Sequence, residues 1–144
     1  MVNRLIFFLI FAIALNIDTY AGERFPVPYR PDIDLTKKDV TFECANINFY
    51  VDITRPLTPF KKLTLNVNAK KDNTPVDYLK IKAKINMKMD MGNFLYDLSL
   101  KKDAYTLNFM LPKCIWGDKR WFIKLIIQDK EYICNKILLF DMEK

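Results

Sequence analysis

The chain has 144 residues, 51% of them hydrophobic and 14% aromatic, with only three Gly, a composition that supplies a packed core and excludes an intrinsically disordered polypeptide. It contains no histidine, which removes Ser-His-Asp and Cys-His nucleophile pairs, His-ligated zinc or haem, and His-mediated proton transfer. The net charge of +6 is mostly lysine spread along the chain; it reads first as a solvated face and second as attraction to anionic headgroups, a wall polymer or an acidic partner, and no nucleic-acid-binding motif accompanies it.

Asn3 and Arg4 precede an unbroken apolar run over residues 5–15, and a polar stretch then closes on Thr19-Tyr20-Ala21. These are the n-region, h-region and small-residue cleavage site of a secretory signal peptide. As a helix, a run of that length covers only about half of a ~30 Å hydrocarbon core. The expectation is a signal peptide at 1–21, cleavage after Ala21, and an exported product that is periplasmic or held at the cell surface. No Cys ends the h-region, so a lipid anchor is not expected, and no transmembrane segment is expected after it.

Residues 22–38 are Pro-rich, with Pro26, Pro28 and Pro31 among Phe25, Val27 and Tyr29. Proline at that spacing resists a helix and favours an extended arm lying on the domain. The domain itself is expected over 39–144.

From Asp39 onward the hydrophobic period is two. Ile47, Phe49, Val51 and Ile53 alternate with polar residues, and so do Leu63, Leu65, Val67 and Ala69. Ile81, Ala83 and Ile85 continue into Met87, Met89 and Met91; then come Tyr105, Leu107, Phe109 and Leu111, and finally Trp121, Ile123, Leu125 and Ile127. Period two places each apolar set on one face of a sheet. Turn residues fall between the runs, at 54–59, at Asp72-Asn73-Thr74-Pro75, at Gly92-Asn93, at Lys101-Lys102-Asp103 and at Gln128-Asp129-Lys130. Strands with one wet face must cover one another, so the fold expected is all-β: an immunoglobulin-like antiparallel β-sandwich of seven or eight strands.

Three cysteines in an oxidising compartment make one disulfide and one thiol. Cys44 lies in the core-facing set with Val40 and Phe42, and Cys114 sits where a strand leaves its sheet. The pairing expected is therefore Cys44–Cys114, with Cys134 free.

Two stretches carry chemistry. Met87, Met89 and Met91 place three thioethers on one strand face, and soft thioethers select Cu(I). The same residues continue an apolar core set, where Met is an ordinary gap-filler. Alternate residues are also ~7 Å apart along a strand, too far for three sulfurs to reach one ion without a kink. The second stretch is residues 111–121, where a turn with a Cys and an indole offers a binding edge. Its structural alternative is a bridged Cys114 and a Trp121 that fills the space between the sheets.

Cys44, Ile53-Thr54-Arg55-Pro56-Leu57-Thr58-Pro59, Met89-Asp90-Met91-Gly92 and the Leu-Pro-x-Cys-x-x-Gly-x-x-x-Trp run ending at Trp121 together resemble a group of small, largely uncharacterised bacterial envelope proteins. That group stands beside the YtkA-like and FixH-like immunoglobulin-like domains. The resemblance covers about residues 44–140. It implies a periplasmic or surface-held β-sandwich with a link to metal or respiratory-complex handling, and it implies no activity. Asn93-Phe94-Leu95 replaces the group's turn after the methionine motif, and Cys134 is additional to its pattern.

The leading functional expectation is an exported, non-enzymatic module that binds a protein partner in the cell envelope, with peripheral membrane association as a further mode. The alternative is a periplasmic copper-handling or respiratory-complex accessory protein that uses Met87, Met89 and Met91.

Overall fold

The computed structural model describes residues 33–88 and 92–143. The expected signal peptide, most of the Pro-rich arm, and Met89 and Met91 lie outside the described residues. The alternating runs form strands, though β8 stops at Phe109, short of Leu111: β1 (Val40–Cys44), β2 (Ile47–Ile53), β3 (Leu63–Lys71), β4 (Thr74–Pro75), β5 (Lys80–Met87), β6 (Phe94–Asp97), β7 (Ser99–Lys101), β8 (Ala104–Phe109), β9 (Arg120–Gln128) and β10 (Ile133–Asp141), with no helix among the described residues. β4 and β7 have two and three residues; the other eight strands agree with the seven or eight expected.

The strands pair antiparallel in two sheets, one ordered β1-β2-β3-β8-β7 with β4 on the flank of β3, the other β10-β9-β5-β6. The stretch β2-β3-β8-β7 facing β10-β9-β5-β6 is the A-B-E-D against G-F-C-C′ order of an immunoglobulin sandwich. The inward sets are those of the sequence: Phe49 and Val51 on β2, Leu65 and Val67 on β3, Ile81 and Ile85 on β5, Tyr105 and Leu107 on β8, and Trp121 and Ile123 on β9 are all buried. Sealing each large aliphatic or aromatic chain from water contributes ~1.5–3 kcal/mol, which is what opposes the entropy of ordering the sheets. Tight turns follow from residues that accept φ > 0. Ala45 and Asn46 (φ 51° and 59°) join β1 to β2, and Asp72 and Asn73 (φ 48° and 63°) join β3 to β4. Positive φ at both central residues matches the twist of the strands they connect.

The disulfide differs from the expected one. Cys44 is bonded to Cys134, their Cα atoms 6.5 Å apart, and Cys114 is a buried free thiol. The reason is position along the strands. Cys44 ends β1 opposite Ile47, the first residue of β2, whereas the connection carrying Cys114 leaves the sheet where Phe109 faces Leu63. The seven residues of β2 at ~3.3 Å each place those two ends roughly 20 Å apart, and a disulfide tolerates Cα separations of only ~7 Å. Cys134 is the second residue of β10, the edge strand of the other sheet, so the bond staples the two sheet edges together. Lys136 adds to this side by holding its ammonium over the Phe42 ring, 5.6 Å from the centroid.

Ahead of β1, residues 33–36 are held on the sandwich. Leu35 donates its N–H to the Leu139 carbonyl at 2.8 Å, and Leu139 donates to Ile33 at 3.0 Å. Arg55 clamps the same segment: its guanidinium donates to the Leu35 carbonyl (2.8 Å), the Thr36 carbonyl (3.3 Å) and the Asp39 carboxylate (2.8 Å). The peptide between Arg55 and Pro56 is cis. The Thr-Arg-Pro motif of the sequence is thus a structural anchor for the lead-in.

Candidate functional site: the β8–β9 end of the sandwich

One end of the sandwich is assembled from the β2–β3 connection (residues 54–62), the β8–β9 connection (residues 110–119) and the residues after β10. Backbone bonds tie the three together. Phe60 N–H donates to the Leu111 carbonyl (2.9 Å), Met142 N–H to Lys119 (2.9 Å) and Glu143 N–H to Leu57 (2.7 Å). Lys88, just after β5, lines an open recess here with Gly117, Asp118, Lys119, Arg120, Phe122 and Asp141.

The β8–β9 connection is rigid at its base and bare at its tip. Leu111 is sealed in the core, and Pro112, which has no N–H, cannot extend the ladder. Residues 114–117 then close a tight turn, with Gly117 N–H donated to the Cys114 carbonyl at 3.2 Å. Gly117 has φ 82°, a conformation in which any side chain would be strained. On the far side, Trp121 returns the chain to the core at 1% exposure. Between these fixed points, Ile115 and Trp116 stand at the tip of the turn, 83% and 73% exposed.

Phe60 on the neighbouring loop reinforces the pattern. It is 63% exposed and adopts φ 59°, a left-handed conformation that costs a bulky residue of order 1–3 kcal/mol. Its N–H bond to Leu111 holds it there. Met110 is exposed as well. Lys61, Lys62, Lys88, Lys113 and Lys119 are exposed around these apolar chains. Among the described residues the acids at this end are fewer: Asp141 is committed to Arg120 in a two-pronged pair (2.8 and 2.9 Å), which holds that guanidinium charged, while Asp118 accepts the Arg120 backbone N–H and Glu143 follows β10.

Beneath the tip is a cavity of about 230 Å³ lined by Pro59, Pro112, Lys113, Cys114, Gly117, Asp118, Lys119, Trp121, Met142 and Glu143. Cys114 and Met142 therefore line one space.

The residues singled out in the sequence are distributed as follows. Met87 faces inward, 4% exposed, paired across the ladder with Trp121; Met89 and Met91 lie outside the described residues. Trp121 fills the core as its alternation implies. Cys114 is not bridged, so it belongs to this end as a thiol. Among the described residues no group of three or more His, Cys, Asp and Glu side chains is arranged to hold a metal ion. Trp116 is the indole of the turn that the sequence offers as a binding edge, with Ile115 beside it, whereas Phe60 lies outside both stretches singled out there. The signal available was the pair Ile115-Trp116 placed directly before a Gly between two strands, where turn residues are ordinarily polar.

No protein-family model matches the chain, and no curated protein matches it.

Proposed function

We propose that this protein is an exported, non-enzymatic β-sandwich module that binds a partner in the cell envelope, and that the β8–β9 end is its binding end. The observation that carries the reading is the presentation of Ile115 and Trp116 to solvent on a turn whose base is fixed by Leu111, Gly117 and Trp121. Exposing an indole and a branched aliphatic chain forfeits burial of ~1.5–3 kcal/mol each, and large exposed apolar groups rimmed by charge mark interaction surfaces. The signal-peptide pattern over 1–21 supports the exported compartment, and the motifs within residues 44–140 support a relation to the YtkA-like and FixH-like domains. A photo-crosslinking residue placed at position 116 in the producing cell tests it. A covalent adduct at 116, absent when the same residue replaces the exposed Tyr132 at the opposite end, is expected; equal labelling at both positions removes the assignment.

One observation favours a second reading, a copper-handling accessory. Cys114 and Met142 line the same cavity, and thiolate and thioether are the donors that prefer Cu(I). Under that reading reduced protein takes up Cu(I), and Cys114→Ser abolishes the uptake.

A further inference from the structure

The chemistry of the β8–β9 end narrows what it binds. We propose that this end docks on the surface of an anionic phospholipid bilayer, with Ile115, Trp116 and Phe60 entering the boundary between headgroups and acyl chains and the surrounding lysines facing lipid phosphates. The inference rests on the reading of this end as the binding end and names its ligand.

Three observations point to a bilayer. The apolar groups are at the tips of two loops, not on a flat face: Ile115 and Trp116 on one turn, Phe60 on the other, joined through the Phe60–Leu111 backbone bond. Projecting tips suit a soft, deformable surface, whereas a protein interface core is ordinarily a packed patch. Their composition is also that of a membrane interface, where Trp concentrates because it has an apolar body and an N–H that stays hydrated. The cations then lie where phosphates would be. Lys113 and Lys119 flank the tip on either side, and Lys119 shares the open recess with Lys88 and Arg120. Among the described residues the five exposed lysines outnumber Asp118 and Glu143, Asp141 being occupied by Arg120. Attraction of clustered lysines to anionic lipid combined with shallow burial of an apolar group is how peripheral proteins hold a membrane reversibly.

Vesicle sedimentation with the purified full chain tests this, comparing phosphatidylcholine vesicles with vesicles that also contain phosphatidylglycerol. Trp121 is sealed in the core, so a change in indole emission on binding reports Trp116. The parent protein is expected to bind the phosphatidylglycerol vesicles, with a blue shift, and to release as salt shortens the screening length. An Ile115→Ser, Trp116→Ser double variant should lose at least about tenfold in affinity while melting as the parent does, since both side chains are exposed. A Lys88→Glu, Lys119→Glu variant should lose the preference for the anionic vesicles. The apolar run over residues 5–15 is present in parent and variants alike, so their difference isolates the tip. Equal binding by parent and double variant, or no binding to the anionic vesicles, overturns the proposal. Adducts from position 116 to a protein without vesicle binding overturn the lipid while leaving the binding end in place, and failure of both experiments removes both.

Discussion

Arg55 and Asp39, sixteen residues apart, meet at 2.8 Å and lock the segment before β1 to the β2–β3 connection. Asp39 also accepts the Tyr50 hydroxyl. The Tyr50 hydrogen bond first and Arg55 second hold the Asp39 carboxyl below its ordinary 3.8. Because the folded state favours the ionised form, this contribution to stability is present above about pH 4 and is lost as pH falls through the lowered folded value. Urea unfolding as a function of pH should show a decline in acid that is shallower in Asp39→Asn. An identical acid limb in the two proteins would assign the loss to other carboxylates.

Tyr105 offers a test inside the core. Its hydroxyl donates to the Val76 carbonyl (3.0 Å) and accepts the Leu79 N–H (2.9 Å), bridging β8 to the segment that leads into β5. Tyr105→Phe keeps the ring and leaves both backbone groups unpaired, so a loss of ~1–3 kcal/mol in urea unfolding is expected. Burial pushes the phenol above its usual 10.0. That contribution is intact below about pH 10 and fades as pH rises through the folded value, so the parent should lose more stability in alkali than Tyr105→Phe does.

Peptide mapping of unreduced protein should recover Cys44 linked to Cys134, with Cys114 alkylated only after denaturation. The bond spans 90 residues. In the chain-entropy description a loop of that length is worth ~4–5 kcal/mol, so reduction should lower stability far more than Cys114→Ala does.

Met87→Leu conserves volume in a sealed position and should change stability by less than ~1.5 kcal/mol. Met87→Ala leaves a void and should cost ~2–5 kcal/mol. If Cu(I) uptake by the parent disappears in Met87→Leu while the fold persists, the methionine row carries a metal after all.

Export is checked by the mass of the protein recovered outside the cytoplasm, which should correspond to cleavage after Ala21; a retained N-terminus would make residues 1–21 an anchor.

The sandwich was legible because β2, β3 and β8, and most of β5 and β9, bury one face and leave the other more exposed, which leaves a period of two in the sequence. β10 was not legible for the same reason in reverse. Leu138 and Phe140 face the core, but Leu139 is buried too, packed with Phe122 and Ile137 on the outer side of its sheet, so four consecutive apolar residues, Ile137 to Phe140, erase the alternation. The disulfide was misassigned because alternation places a cysteine on a face without saying at which end of the strand its partner lies. At the candidate site, Pro112 and Gly117 announced a turn, and Trp121 announced a core residue by its own alternation. The exposure of Trp116 depends on which of two neighbouring indoles the turn throws outward, and that is decided by the backbone at residues 114–117. Phe60 left no trace at all, since nothing in its local sequence demands a left-handed backbone.

The backbone bonds of Leu139 to Ile33 and Leu35 bear on how copies of this protein coexist at high concentration. An edge strand of nine residues with open N–H and C=O groups is a template on which another chain can add a strand. Along the stretch around Leu139 those groups are already taken by the protein's own lead-in, which lies parallel to β10. A chain shortened to begin after Leu35 should therefore lose that one sealed core side chain, keep the paired strands, and polymerise edge to edge, so the segment ahead of β1 would act as the guard that keeps one sandwich from growing onto the next.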